Sequence, residues 1–166
     1  MGGRAGGGAS GGMGSASRAS VTDAMVARLA SDTKQYTTKD LNWNTEPLLK
    51  NGEYLETHGS FNGGGIYEVH NPSYEKITGD VAETRPDVQF PKTAKQKAKY
   101  LADYKAYDAK WNAAVDKVMA AYKKDIPRAK TKAMKVYIAK QISKYQGWKK
   151  DSVDIMKWME KTYGAK

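Results

Sequence analysis

Between Thr93 and Lys124, Tyr100, Tyr104, Tyr107, Trp111, Val115, Val118 and Tyr122 recur at spacings of three and four. At about 100° per residue these side chains fall within roughly 80° of one another, the pattern of a helix with a single buried stripe. The stripe predicts a long helix capped by Thr93 and running to about residue 124. It also requires a partner, because an exposed stripe of that length would not be stable in water. Pro127 then reads as the first residue of a second helix with Asp125 as its cap, and Gly147 as its end. Asp151 or Ser152 opens a third, in which Ile155, Met156, Met159 and Tyr163 share a face. Short connections make these antiparallel neighbours, so residues 93–166 are predicted to form a basic three-helix bundle or hairpin.

The preceding residues follow different rules. Residues 1–19 hold eight of the sixteen glycines and little that could be buried, which predicts a disordered Gly-rich N-terminal tail. Ser20 followed by Asp23, then Met25, Val26 and Leu29, predicts a short helix within residues 20–36. In residues 37–92, Asn51-Gly52 and Gly63-Gly64-Gly65 are turn signals around the strand-compatible runs "EYLETH" and "IYEVHN". They predict a small antiparallel β-hairpin or three-stranded meander, followed by an irregular, Pro-containing connection with at most one short strand. The fold class expected is therefore α+β, built on one core, since 166 residues hardly suffice for two.

Charge is distributed unevenly along the chain. The net charge of +10 divides into +2 over residues 1–36, −4 over 37–92 and +12 over 93–166. The stretch "IPRAKTKAMKVYIAKQISKYQGWKK", residues 126–150, contains eight bases and no carboxylate. No local i,i+4 ion pair can neutralise them. On a helical wheel Met134, Ile138, Ile142 and Tyr145 form one narrow seam, with Arg128, Lys132 and Lys135 on one flank and Lys130, Lys140 and Lys144 on the far side. Such a helix is expected to be buried only along that seam. Trp148, Lys149 and Lys150 extend the positive surface, and Tyr137, Tyr145 and Trp148 are aromatic rings among the bases, on which an unpaired base could stack. The candidate binding set is thus Arg128, Lys130, Lys132, Lys135, Lys140, Lys144, Trp148, Lys149 and Lys150. A polyphosphate backbone is the partner that suits it, and the competing reading is a solvated face that keeps a small protein soluble. Five Lys to one Arg on the helix favours general electrostatic attachment over bidentate reading of base edges in a duplex. A third possibility is that the acidic middle region covers the basic helices.

Catalytic signals are sparse. With no Cys, thiol chemistry, disulfides and Cys-ligated zinc are excluded. His58 and His70, with Glu56, Glu68 and Ser60 near them in sequence, are the candidates for acid–base chemistry. A hairpin closed at the glycines would place the two histidines at opposite ends, which argues for ordinary strand residues. "NGGGIYEV" lacks the Lys-Ser/Thr of a phosphate-binding loop and opens a strand rather than a helix. No metal-ligand spacing is visible. The expectation is a non-enzyme without cofactor or metal. No run of about 18 apolar residues spans a bilayer, and the N-terminus has Gly where a secretory signal needs an apolar segment, so an intracellular protein, or one packaged into a particle, is expected.

The opening "MGGRAGGGASGG" resembles the Met-Gly-Gly-Arg-Gly, Ser/Gly-rich starts of some bacteriophage- and prophage-encoded proteins, including small accessory proteins of head and structural gene regions. Ala5 stands where such starts often have Gly. The resemblance implies a mobile-element origin, hence host cytoplasm or virion as location and nucleic acid, a host nucleoprotein complex or the virion itself as partner. Inhibition of a host defence complex would be one form of this. The alternative is a virion structural or morphogenesis protein self-associating through the stripe around Trp111, with Asp108 at the stripe's edge setting register.

Overall fold

A computed structural model describes residues 20–58 and 66–165, with the side chains of 55–58 and 66–68 not described. The tail expected over residues 1–19, the start that carries the resemblance, and the Gly63-Gly64-Gly65 turn lie outside the described residues.

Two helices of 32 residues dominate: α4 (Ala94–Asp125) and α5 (Lys132–Tyr163), each about 48 Å long. They pack on each other as a helical hairpin. Four smaller pieces cover the connected end: α1 (Asp23–Ala30), α2 (Thr38–Leu41), a two-stranded antiparallel sheet of β1 (Tyr54–His58) and β2 (Ile66–His70), and α3 (Pro72–Ala82). The described residues are thus predominantly helical, with five α-helices and one small hairpin, rather than a balanced α+β fold.

Thr93 caps α4 as its sequence predicts: its side chain accepts from the Gln96 N–H, and the Gln96 side chain accepts from the Thr93 N–H. The Tyr/Trp/Val stripe faces α5 and the core, with Val115 and Val118 fully buried. The hairpin also forms where expected. Gly52, at φ 90°, turns the chain into β1, and the register sets Tyr54 opposite His70 and His58 opposite Ile66.

Several expectations are corrected. Residues 72–82, read as irregular connection, form α3: Asn71 caps it by accepting from the Tyr74 N–H, and Pro72 occupies the first turn. Of the two forms expected for the sheet, the described residues show the two-stranded hairpin. Pro127 does not open a helix but lies in a 3-10 turn (Ile126–Arg128), and α5 begins after Thr131, whose hydroxyl accepts from the Met134 N–H. Gly147 does not end that helix. Its Cβ position is open, and packing by Tyr145 before it and Trp148 and Ser152 after it holds the helix through a glycine that costs about 1 kcal/mol relative to Ala. The second and third predicted helices are therefore one, and the bundle is a hairpin.

Nor is α5 buried along only a narrow seam. Ala133, Met134, Val136, Ile138, Ala139, Ile142 and Tyr145 are all buried and lie on all sides of its first half. Here α5 is the centre of the core: α4 packs on one side, α1 and α2 on another, and Val26, Leu41, Leu48 and Val69 close around it. Burial of such side chains contributes about 1.5–3 kcal/mol each.

The free end is different. From Ala94 to about Lys110, and from about Lys149 to Tyr163, the apolar contact between the two helices is a small cluster, Tyr100, Leu101 and Met159 with Tyr104, Met156 and Tyr163 around it, flanked by the Lys105–Glu160 ion pair and the Ser152–Asp108 hydrogen bond. Ile155 and Trp158 are exposed on this arm, Trp158 at 56%, and Phe90 in the segment leading into α4 is 84% exposed.

Candidate nucleic-acid interface

The nine predicted binding residues separate into two groups. Arg128, although about half-exposed, is tied down by its Nη1, which donates to Asp125 Oδ1 at 2.9 Å. Asp125 is buried and also accepts from the Tyr74 hydroxyl at 2.6 Å. Glu53, buried beside this pair, has its carboxyl pushed up to about 7 by burial and by the charges of Asp125 and Glu46, with Arg128 opposing. Arg128 is therefore paired with Asp125 at the end of α4, with Glu53 of the middle region beside it. Lys135 Nζ donates to the Ile126 carbonyl at 2.9 Å, closing the turn between the long helices. Lys149 pairs with Asp116 across the hairpin at 2.6 Å. Trp148 stacks on Trp111, with ring centroids 5.6 Å apart, and takes the edge of Tyr145 at 4.5 Å.

The backbone around Lys130 shows how much of the charge balance is long-range. Glu46, fully buried, accepts from the N–H groups of Lys130 and Thr131 and from the Thr131 hydroxyl, and so places a carboxylate at the N-terminus of α5. This satisfies backbone donors and complements the helix dipole. Sequence reasoning missed Glu46, because nothing in residues 37–50 marks one acid as bound for a helix 85 residues away.

The second group remains on the surface. The side chains of Lys130, Lys132, Lys140, Lys144 and Lys150 are exposed and make no ion pair among the described residues. Lys132, Lys140, Lys144 and Lys150 fall within about 120° of arc along some 27 Å of α5. Lys34, on the segment joining α1 to α2, lies with Lys140 along a shallow cavity of about 190 Å³ floored by Tyr36, Val136 and Tyr137. Asp32 is the carboxylate in this field. Hydrogen bonds from the Tyr36 hydroxyl and the Lys34 N–H, with the charges of Lys132 and Lys140, hold it below its usual range. The same bond pushes the Tyr36 phenol up to about 12.

At its far end the lysine edge meets an aromatic cleft. Lys144 Nζ lies 5.2 Å from the Trp148 ring centroid, and Tyr107, Trp111 and Trp148 form a run of near-parallel rings with centroid separations of 6.4 and 5.6 Å. The rings wall a cavity of about 220 Å³ between α4 and α5, beyond the end of α3. Asp108, expected to set register between copies, sets it within the chain: it accepts from the Ser152 hydroxyl on α5 and, at 3.0 Å, from Asn112 Nδ2, while Asn112 also donates to Ser152 Oγ. The stripe around Trp111 is likewise used internally, with Tyr107, Val115, Val118 and Tyr122 buried.

Of the histidines, His70 stacks on Tyr54 at 4.9 Å and its Nδ1 lies 2.9 Å from Glu75 Oε2, a contact that joins the hairpin to α3. The strand register separates it from His58, whose side chain is not described. No group of three or more His, Asp or Glu among the described residues could hold a metal ion, and no helix among them is long and apolar enough to cross a membrane. Comparison of the chain with protein-family models, with curated proteins and with solved structures returns no match.

Proposed function

We propose that this is a non-enzymatic protein that binds nucleic acid, free or within a nucleoprotein complex, through the lysine edge of α5. The observation that supports this reading is the split in the basic residues. Arg128, Lys135 and Lys149 have partners inside the protein, whereas Lys132, Lys140, Lys144 and Lys150 are aligned on one side of a long helix without carboxylate partners in ion-pair range among the described residues. Four cations at about this spacing neutralise several phosphates of one strand and release their counterions. The start that resembles phage-encoded proteins favours a host nucleoprotein or virion component as the setting.

The test is fluorescence anisotropy with a labelled oligonucleotide at low and moderate salt. Replacing Lys132, Lys140, Lys144 and Lys150 together by Glu is expected to lower affinity at least 100-fold, while Arg128→Ala changes it less than about threefold. Equal binding by wild type and the four-fold variant would overturn the proposal.

A second reading is favoured by the free arm, where Ile155, Trp158, Val88 and Phe90 are exposed. In it the protein self-associates through the arm and not through the Trp111 stripe, as a virion structural protein would. Concentration-dependent mass in light scattering that is lost in Trp158→Glu would support it.

A further inference from the structure

We infer that the aromatic cleft at the middle of the hairpin accepts one unpaired base, with guanine preferred, so that the strand bound along α5 is single-stranded. This rests on the nucleic-acid reading above and adds a second, independent set of residues to it.

The cleft sets charged groups at its mouth against a wall of rings that pack on the core. Tyr107, Trp111 and Trp148 present a wall of near-parallel rings, while Arg85 crosses the mouth with its guanidinium 5.8 Å from the Tyr107 ring centroid. Arg85 is exposed and has no carboxylate in ion-pair range among the described residues, although Asp108 and Asp151 line the same cavity. Asp108 is committed to Ser152 and Asn112, whereas Asp151 is exposed at the rim.

A cavity with this lining discriminates among ligand classes. A simple organic cation would be opposed by Arg85, and a simple anion by Asp151. A neutral planar heterocycle whose edge carries both acceptors and donors meets neither penalty. Guanine offers O6 and N7 as paired acceptors to a guanidinium, and N1–H and N2–H₂ as donors to a carboxylate. Its face stacks on the rings, as the face of any unpaired base can. A base can enter only when it is not paired, which excludes the interior of a duplex. The cavity of about 220 Å³ has room for one base. Lys144, poised over Trp148, is placed to meet the phosphate beside that base.

The experiment uses the full chain and single-stranded oligothymidylates of roughly 12 nucleotides carrying one central guanine, one central cytosine or one abasic site. Both intrinsic Trp fluorescence and anisotropy are followed. The expected result is quenching of Trp emission by the guanine strand, with affinity about five- to tenfold higher than for the abasic strand and weaker binding of a blunt duplex. Arg85→Ala and Asp151→Asn, both at exposed positions, should reduce the guanine preference to below about twofold without changing the salt dependence of binding. Equal affinities for the guanine and abasic strands, with unchanged Trp emission and salt-dependent binding intact, would overturn the inference and leave the lysine edge standing. Absence of binding to every strand at low salt would overturn both.

Discussion

At the connected end of the hairpin, α4 and α5 are enclosed by α1, α2, α3 and the two-stranded sheet, and side chains on every side of α5 are buried. At the free end the same two helices, with the same Tyr-rich stripe, cover only each other. The helix-forming signal is equally strong in both halves. What differs is the number of layers, and with it the role open to an aromatic side chain. Where a third layer is present, Tyr122 and Tyr145 are core residues whose burial raises their phenol pKa values. Where it ends, just beyond α3, Tyr107, Trp111 and Trp148 still stack on one another but wall a cavity open to solvent. The proposed binding site lies at that boundary, where a rigid half supplies the geometry and an open half supplies the access.

The comparison breaks most directly in stability. Ile142→Ala, in the enclosed half, should cost about 3 kcal/mol in urea unfolding, because the buried side chain leaves a cavity surrounded by packed neighbours. Met156→Ala, at the edge of the arm's small cluster, should cost about 1 kcal/mol or less. Equal losses would mean that the arm is as tightly enclosed as the core.

A smaller effect sharpens the account of the enclosed half. Glu53 binds its proton more tightly in the folded protein, up to about 7 against an ordinary value of 4.5, so its contribution is fully present below about pH 4.5 and is lost as pH rises to 7. Glu53→Gln should therefore flatten the stability profile across that window and stabilise the protein by about 1–2 kcal/mol at pH 8, after allowance for partial solvent screening. Thermal unfolding at pH 4.5 and pH 8 measures this. A variant that is destabilised at pH 8 would show that Glu53 is needed as a charge.

The smallest effect lies at the boundary itself. Gly147 is helical, and a Cβ there would meet nothing within 4 Å. Gly147→Ala should stabilise the protein by roughly 0.5–1 kcal/mol without altering oligonucleotide affinity. Lost affinity would show that the helix must bend there to bind.

Much of this was legible in the residues. Thr93 and Gln96 marked the start of α4, the three-and-four spacing carried it to Asp125, and Asn51-Gly52 introduced the hairpin. Asn71-Pro72 was equally legible as a cap followed by a first-turn proline, but the later prolines drew the whole stretch into one irregular connection. Two features could not be read locally. Gly147 and Pro127 are punctuation in an isolated helix, and only the packing of α5 on α4 and α1 overrides the first and leaves the second in a turn. The charge of residues 126–150 likewise looked unopposed because Asp116, Asp125 and Glu46 answer it from elsewhere in the chain. A local charge count therefore named eight bases, of which the fold leaves five lysines exposed and without ion pairs among the described residues, and it puts Trp148, named as a ring among them, in the wall of the cleft.

The central claim is that those lysines act together on one phosphate backbone, and the salt dependence of oligonucleotide affinity tests it most directly. For wild type, log affinity should fall linearly with log salt with a slope of about −2 to −3, as expected when about four phosphates of a single strand are neutralised. The variant with Lys132, Lys140, Lys144 and Lys150 replaced by Glu should show a slope near zero. Identical slopes for the two proteins, or a flat line for wild type, would contradict it.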